Sequence, residues 1–208
     1  MPSPDTLISF LIAAVLLGLA PGPDNLFVLT QSALHGAKAG WLVTAGLCTG
    51  LLGHTTAVAF GVAVLFEQSV VAFTLLKLAG VLYLLYLAWQ TLRSCHDDDP
   101  TAPPPRLSRA KLYRRGVIMN LTNPKVSLFF LAFLPQFAQP DMGPMRQQLL
   151  LLGGLFIVAT IVVFGLIATL SGSIGDYLQR HSGARRTLDR LSAVVFIALA
   201  AKLLTTSR

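Results

Sequence analysis

The sequence has 208 residues, of which 54% are hydrophobic and only 12% are charged, and its formal net charge is +7. Soluble domains carry about 25% charged residues, so this composition indicates an integral membrane protein and excludes a large extramembrane catalytic domain. The positive charge does not indicate nucleic-acid binding, because most Lys and Arg residues fall in the loops between apolar segments.

Six apolar segments approach the length of about 20 residues that a transmembrane helix needs. We therefore expect an all-α integral membrane protein with six transmembrane helices. We also expect no cofactor and no bound metal. The N-terminal segment lacks the basic start of a signal peptide, so it is interpreted as the first span. The segments are about 7–34, 41–66, 70–92, 116–138, 148–171 and 189–206.

The first segment is interrupted in its middle by Pro21-Gly22-Pro23-Asp24-Asn25. A proline removes a backbone donor, and in lipid the freed carbonyl groups must find a partner in protein, water or ligand. We therefore expect this break to face a cavity. A carboxylate such as Asp24 costs about 2.5–3.5 kcal/mol within a span. It either caps the following half-helix or binds a ligand or a proton.

In the second segment, Gly46, Gly50 and His54 recur at intervals of four residues and share one helix face. Two glycines at this spacing let another backbone approach closely, and the broken first helix is the expected neighbour. His54 either titrates near neutral pH, which makes it a second proton-coupling candidate beside Asp24, or packs as a neutral, hydrogen-bonded side chain.

The third segment contains Lys77, which is expected to snorkel outward, and Tyr83 and Tyr86, which are expected to pack. The longest polar stretch follows at 93–115, with three consecutive aspartates, three consecutive prolines and a basic end. It is interpreted as a flexible cytoplasmic linker. The linker separates a first three-helix half, 1–92, from a second three-helix half, 116–208.

The fourth segment is broken by Asn123-Pro124-Lys125. Lys125 lies roughly 15 Å from the cytoplasmic end of this segment at the helical rise. A cation beside free N–H groups at the start of a half-helix is suited to a carboxylate ligand; a structural ion pair with Asp24 is the alternative. The nearby amides of Asn120 and Gln136 are expected to hydrogen-bond between helices.

Interrupted hydrophobic segments at matching positions in two halves indicate the substrate site of a transporter. Because each half has three spans, the second half crosses the membrane in the opposite direction. This predicts two inverted three-helix repeats with broken helices one and four. The candidate substrate-binding residues are those of the two breaks: Pro21, Gly22, Pro23, Asp24, Asn25, Asn123, Pro124 and Lys125.

The basic residues are distributed unevenly between the two sets of loops. Eleven Lys and Arg residues fall in the loops after spans one, three and five, and three fall on the opposite side. The positive-inside rule places the richer side in the cytoplasm. Both termini are therefore expected on the outer side of the membrane.

Several motifs occur together over nearly the whole chain: Pro21-Gly22-Pro23-Asp24-Asn25-Leu26, the Gly46, Gly50 and His54 series, Lys77 with Tyr83 and Tyr86, and Asn120-Leu121-Thr122-Asn123-Pro124-Lys125. With this set the chain resembles the LysE/RhtB family of bacterial amino-acid exporters. The resemblance implies export of small amino acids or their analogues across the inner membrane, in exchange for protons. The implied partners are the amino acid, the proton and the lipid bilayer, and a homodimer is left open.

Three other classes of protein are less compatible with the sequence. A divalent metal-ion exporter needs several converging ligands, and the spans offer only Asp24, His54 and Cys48. An intramembrane enzyme needs paired aspartates, a Ser/His pair or the H-E-x-x-H motif, and the spans contain none of these. A membrane scaffold explains the spans but not two charges beside matched breaks.

Overall fold

The computed structural model describes residues 2–20, 22–62, 70–93 and 107–180, together with isolated positions between 187 and 204. Every regular element in these ranges is helical, which confirms the predicted all-α class there. The helices are α1 Pro4–Leu19, α2 Pro23–His35, α3 Ala37–Ala57, α4 Val70–Arg93, α5 Arg109–Thr122, α6 Pro124–Leu128 and α7 Met145–Arg180.

Two of the described helical segments, Ala37–Gly61 and Met145–Ser171, are each long and apolar enough to cross a membrane alone. The number rises to four if each of two bent helix pairs is counted as one span. α4 contains a shorter apolar stretch, Lys77–Trp89. The predicted sixth span, 189–206, lies largely outside the described residues, so the arrangement of six helices stays a prediction.

The first bent pair consists of α1 and α2, which make an angle of 61°. α1 begins where the Ser3 side chain accepts a hydrogen bond from the Thr6 backbone N–H at 3.3 Å, with Pro4 as its first residue. Pro21 and Pro23 cannot donate backbone hydrogen bonds, and α1 ends at Leu19, before the first of them. Pro23 instead starts α2, since the first turn of a helix tolerates the missing N–H.

The second bent pair is formed by α5 and the segment Pro124–Phe137, at an angle of 49°. α5 begins at Arg109 because Ser108 caps it, so the helix includes basic residues that the sequence predicted as the end of the linker. The middle of that linker, 94–106, lies outside the described residues. Asn123 leaves the helical conformation, and its side chain caps α6 by accepting from the Lys125 backbone N–H at 3.0 Å.

After Leu128, the last residue of α6, the chain stays helical but its hydrogen-bonding pattern changes. A π-helical turn, Phe129–Phe133, and then a 3-10 helix, Leu134–Phe137, carry the segment onward. Such π-helical turns occur frequently near functional sites. A similar π-helical turn, Val58–Val62, continues α3.

An aromatic cluster packs α1, α7 and the π-helical turn together. The ring of Phe129 lies 4.9 Å from that of Phe133 and 5.1 Å from that of Phe156, while the Phe10 ring lies 5.1 Å from that of Phe137. All five side chains are buried. A second buried apolar cluster joins α2, α3, α5 and α7.

The closest helix contact lies between α3 and α5. A Cβ atom added at Gly46 would meet the Tyr113 carbonyl, the Val117 nitrogen and the Cα of Gly116. A Cβ at Gly50 would lie 2.6 Å from Oδ1 of Asn120. The face that was expected to receive the broken first helix therefore receives α5, because Gly116 opposite Gly46 removes the side chains from both backbones.

Candidate functional site

The structure brings the two breaks together in the interior of the helix bundle. The side-chain amide of Asn123 donates to Oδ2 of Asp24 at 2.9 Å, although these residues are 99 positions apart. Nζ of Lys125 donates to the carbonyl oxygens of Ala20 at 3.0 Å and Leu17 at 3.3 Å. Two side chains of the second break, Asn123 and Lys125, thus donate hydrogen bonds to the first break and to the end of α1 that precedes it.

The position of these carbonyl acceptors follows from proline chemistry. In an uninterrupted helix the residue four positions later donates to each carbonyl. The residue four positions after Leu17 is Pro21, which has no N–H to donate. Lys125 supplies the missing donor for Leu17 and also pairs the carbonyl of Ala20, next to the end of α1. Of the possible partners for these carbonyls, namely protein, water or ligand, the structure shows a protein ammonium group.

Asp24 lies in the first turn of α2 and is 3% exposed. The positive end of a helix dipole stabilises a carboxylate at this position. Oδ1 of Asp24 is buried and receives no hydrogen bond from any described residue. Asp24 and Lys125 do not form a direct ion pair within the described part of the chain, so the ion-pair alternative considered for Lys125 is not the arrangement that the structure adopts.

The other residues of the breaks pack tightly around this pair. Asn25 donates from Nδ2 to the Gly18 carbonyl at 2.6 Å, which pairs another carbonyl at the end of α1. A Cβ atom at Gly22 would lie 3.0 Å from Nζ of Lys125, so a larger residue would press on the ammonium group. Pro23 and Pro124 are exposed first residues of α2 and α6. Pro21 lies outside the described residues.

A small cavity of about 20 Å³ borders the two breaks. Such a volume holds about one water molecule, so it is too small for a whole amino acid in this conformation. α7 contributes Phe156, Thr160 and Phe164, which the sequence did not single out because they lie in a continuous apolar helix. The lining consists of Leu17, Gly18, Asp24, Leu47, Leu51, Asn120, Lys125, Val126, Phe156, Thr160 and Phe164.

His54 does not line this cavity. Its Nε2 lies 3.2 Å from the Asn120 carbonyl oxygen, and its ring lies 5.6 Å from that of Phe130. The Asn120 carbonyl also accepts from the Asn123 backbone N–H at 3.1 Å. Pro124, four residues after Asn120, offers no N–H, so His54 takes a position at the end of α5 that the proline leaves open.

The remaining polar candidates do not line the cavity. Tyr83 and Tyr86 pack against each other on α4 with ring centroids 5.9 Å apart. Lys77, also on α4, is half-buried. Gln136 donates to the Ala132 carbonyl of its own helix at 3.3 Å instead of bridging to another helix. Over the described residues, no group of three or more His, Cys, Asp or Glu side chains is arranged to hold a metal ion.

A strong polar contact outside the breaks was missed in the sequence. Gln148, buried at the start of α7, donates to the carbonyls of Gln139 and Gly143, each at 2.8 Å, and accepts from the Gln139 backbone N–H at 2.9 Å. These bonds hold the connection before α7 against that helix. Gln148 follows a polar loop end, where an amide is ordinarily solvated, so the sequence offers no signal for this role.

Comparisons with known proteins agree on one family. The family model described as "LysE type translocator" matches residues 15–207. The homoserine/homoserine lactone efflux protein of Salmonella typhi is 36% identical over 171 residues, which cover 82% of either chain. The protein of the same description from Salmonella typhimurium is 37% identical over the same coverage. An uncharacterized membrane protein of Vibrio cholerae is 34% identical over 172 residues, or 83% of either chain. No solved structure matches the chain.

Proposed function

The chain belongs to the LysE family of translocators, and from this premise we propose that it exports small amino acids and their close analogues out of the cytoplasm. Homoserine and homoserine lactone are the first cargo that we propose, since two relatives at 36% and 37% identity are described as efflux proteins for these compounds. Both compounds are small and carry a primary amino group.

One observation carries the proposal: two buried residues of opposite charge lie at two helix breaks that bond to each other. Asp24 is 3% exposed and Lys125 is 7% exposed. Charged residues within transmembrane segments are rare, and they mark substrate and proton pathways. A scaffold has no need for both a carboxylate and an ammonium group at one such place.

We propose that the transport cycle opens this place alternately to the two sides of the membrane. The cavity of about 20 Å³ must enlarge before an amino acid enters, which requires the residues that line it to move apart. Six helices arranged as two inverted three-helix halves would provide this motion by rocking against each other. The residues of both breaks, 21–25 and 123–125, would then form the substrate pocket.

Export by proton antiport completes the proposal. Asp24 is the proposed proton carrier, because it is a buried acidic residue among those that line the cavity. His54 is bonded to a backbone carbonyl instead. The membrane is the bacterial inner membrane, and the loops rich in Lys and Arg face the cytoplasm with both termini outside.

The test is efflux of radiolabelled homoserine from cells that are preloaded with the compound and overproduce the protein. Wild-type protein should accelerate efflux. Asp24→Asn and Lys125→Ala should each reduce the efflux rate at least about tenfold, which corresponds to a loss of 1.4 kcal/mol of interaction free energy. Lys111→Ala is the matched control, since Lys111 is an exposed basic residue on α5.

Immunoblots of membrane fractions must show equal amounts of all variants. Efflux that stays unchanged in both Asp24→Asn and Lys125→Ala would remove the two residues from the mechanism. Purified protein in lipid vesicles that moves none of a panel of small amino acids would favour the scaffold, and movement of divalent metal ions instead would favour the metal exporter.

A further inference from the structure

We propose that Asn123 is the residue that transmits the charge of Asp24 from the first break to the second. The inference rests on the proposed function and deepens it, because it states how a proton bound in the first half of the protein acts on the second half. Asn123 is a positioning residue in this role, since it acts through the carboxyl group of Asp24.

The side chain of Asn123 forms a hydrogen bond at each end of its amide group. Its Nδ2 donates to Oδ2 of Asp24 at 2.9 Å, and its Oδ1 accepts from the Lys125 backbone N–H at 3.0 Å. The Asn123 side chain is 4% exposed, so little water can compete for either bond. One bond thus reaches the carboxyl group of the first break, and the other reaches the first turn of α6.

The two partners determine which end of the amide faces Asp24. The Lys125 backbone N–H can only donate, so the amide oxygen of Asn123 must lie beside it and the amide nitrogen must point toward Asp24. This nitrogen carries only donors, and an ionised carboxylate only accepts. The arrangement therefore suits the charged form of Asp24. A bond of this charge-assisted kind is roughly twice as strong as a neutral one.

The other groups around the cavity do not connect Asp24 to α6 in this way. Lys125 is the second charged residue that lines the cavity, but its Nζ bonds two carbonyl oxygens at the end of α1. Asn120 is the polar residue that α5 contributes. Among the described residues that line the cavity, α1, α3 and α7 contribute no titratable side chain. The charge of Asp24 therefore faces one cation and no second acid or base.

Protonation of Asp24 weakens both bonds of the Asn123 amide. With the proton on Oδ1, Oδ2 remains an acceptor but has lost its negative charge, so the charge-assisted bond becomes a neutral one. Hydrogen bonds in a chain polarise one another, so the bond from the Lys125 N–H to Asn123 weakens as well. Because α6 belongs to the second half, a proton taken up in the first half loosens the link that the proposed rocking of the halves has to change.

The first experiment uses Asn123→Ser to separate coupling from packing. Serine still caps a helix, but its side chain ends one bond earlier and loses the contact with Asp24. In lipid vesicles we expect Asn123→Ser to exchange radiolabelled homoserine at a reduced rate, and the initial rates with and without an imposed pH gradient to become equal. A folded Asn123→Ser protein that keeps the wild-type ratio of these two rates would overturn the inference.

Ser127→Ala is the matched control at the same break. It removes the bond from the Ser127 hydroxyl to the Asn123 backbone carbonyl at 3.1 Å and leaves the Asn123 amide in place. We expect Ser127→Ala to keep the wild-type response to the pH gradient. If Ser127→Ala abolishes the response as completely as Asn123→Ser does, any disturbance of the break has this effect and the amide has no special role.

Melting temperatures of the purified protein test the same bond without transport. The amide favours the charged form of Asp24, so the stability that it contributes is present at high pH and is lost as the pH falls and Asp24 is protonated. Asn123→Ser should therefore lower the melting temperature more in alkaline than in acidic buffer. In the Asp24→Asn background, Asn123→Ser should have the same effect in both buffers. An effect of equal size in both buffers in the wild-type background would contradict the inference.

Asn123→Asp provides a second variant for the case that Asn123→Ser does not fold. It keeps the cap and the size of the side chain but replaces the N–H donor with an oxygen. Two adjacent carboxylates hold one proton up to a higher pH than a single one does. We expect the pH of half-maximal transport driven by the gradient to move upward, and an unchanged pH profile would exclude contact between the two side chains.

Transport and melting separate this inference from the proposed function. If wild-type vesicles move no amino acid, but the effect of Asn123→Ser on melting depends on pH and on Asp24, the proposed function fails and the response of Asn123 to the charge stands. If the vesicles move homoserine and Asn123→Ser keeps the wild-type response to the pH gradient, the function stands and the role of Asn123 fails.

Discussion

At the scale of single residues, side chains replace the hydrogen bonds that the prolines remove. Lys125 donates to the Leu17 carbonyl, four residues before Pro21, and His54 approaches the Asn120 carbonyl, four residues before Pro124. A polar residue is costly to place in either helix, and in each case its partner is a backbone carbonyl whose usual donor, four residues later, is replaced by a proline. The two breaks therefore account for Lys125 and His54 together.

This arrangement predicts that His54 is a hydrogen-bond donor and not the proton carrier. His54→Gln retains a side-chain N–H that can reach the Asn120 carbonyl, but it cannot titrate near neutral pH. We expect His54→Gln to keep homoserine transport in vesicles, with the same ratio of rates with and without an imposed pH gradient as wild type. The measurement is the initial rate of radiolabel movement in both conditions.

His54→Leu provides the structural comparison, because it removes the donor and should lower the free energy of unfolding by about 1 kcal/mol. A His54→Gln protein that exchanges labelled for unlabelled homoserine normally, but no longer responds to the pH gradient, would identify His54 as the carrier and contradict the assignment to Asp24.

The sequence predicted which residues belong to the breaks but not which partners they take. Proline, amide and charge act locally, so the positions of 21–25 and 123–125 could be predicted from composition and spacing. Whether Lys125 pairs with Asp24, with a substrate or with a carbonyl depends on distances between segments that are about a hundred residues apart along the chain. The role of Gln148 could not be predicted either, because its partners lie in an irregular loop whose path the sequence does not indicate.

At the scale of helices, glycines determine which elements touch. Gly46 on α3 and Gly116 on α5 face each other so closely that the Cβ of either residue would meet the backbone of the other helix. The sequence predicted the close approach from the spacing of Gly46 and Gly50, but it assigned the broken first helix, α1 and α2 together, as the neighbour. The identity of the neighbour depends on Gly116, which faces Gly46. Gly116 is a single glycine, so no repeated spacing in the sequence indicates that its helix packs against α3.

Gly46→Ala should therefore disrupt the contact between α3 and α5. A methyl group there meets the Tyr113 carbonyl, which belongs to a helix backbone and cannot rotate away. We expect a loss of about 1–3 kcal/mol of stability, the usual cost of overpacking, measured as a lower melting temperature and reduced yield of monodisperse protein. Gly154→Ala on α7 is the control and should behave as wild type, since its position is open.

A Gly46→Ala protein with unchanged stability would mean that α3 and α5 are not packed backbone to backbone. Reduced transport by a fully stable Gly46→Ala protein would instead show that the two helices slide during the cycle. The melting temperature and the transport rate must therefore be measured on the same preparation.

At the scale of the whole molecule, the described residues leave only a small space at the candidate site. The aromatic cluster of α1, α7 and the π-helical turn lies on one side of the breaks, and the apolar cluster of α2, α3, α5 and α7 lies on the other. A cavity of about 20 Å³ remains between them. Under the proposed function, passage of an amino acid requires that the residues lining this cavity move apart, and the proposed rocking of the two halves would supply the motion.

A disulfide between α1 and α7 tests this requirement directly. A Cβ atom at Gly18 would lie 3.7 Å from Cβ of Val163, within the usual Cβ–Cβ separation of about 3.5–4.5 Å in disulfides. We expect the Gly18→Cys/Val163→Cys pair, with Cys48 and Cys95 replaced by Ser, to crosslink under mild oxidation. Homoserine transport should then stop, because α1 belongs to the first half and α7 to the second, and reduction should restore it.

Mass spectrometry with a maleimide reagent counts the free thiols and so reports the extent of crosslinking. The single replacements Gly18→Cys and Val163→Cys, treated with the same oxidant, separate the effect of the bond from that of the side chains. Full transport by completely crosslinked protein would exclude any cycle in which α1 and α7 separate near the breaks. The cargo would then have to pass on the side of α2 and α5, with the bonds from Lys125 to α1 intact throughout.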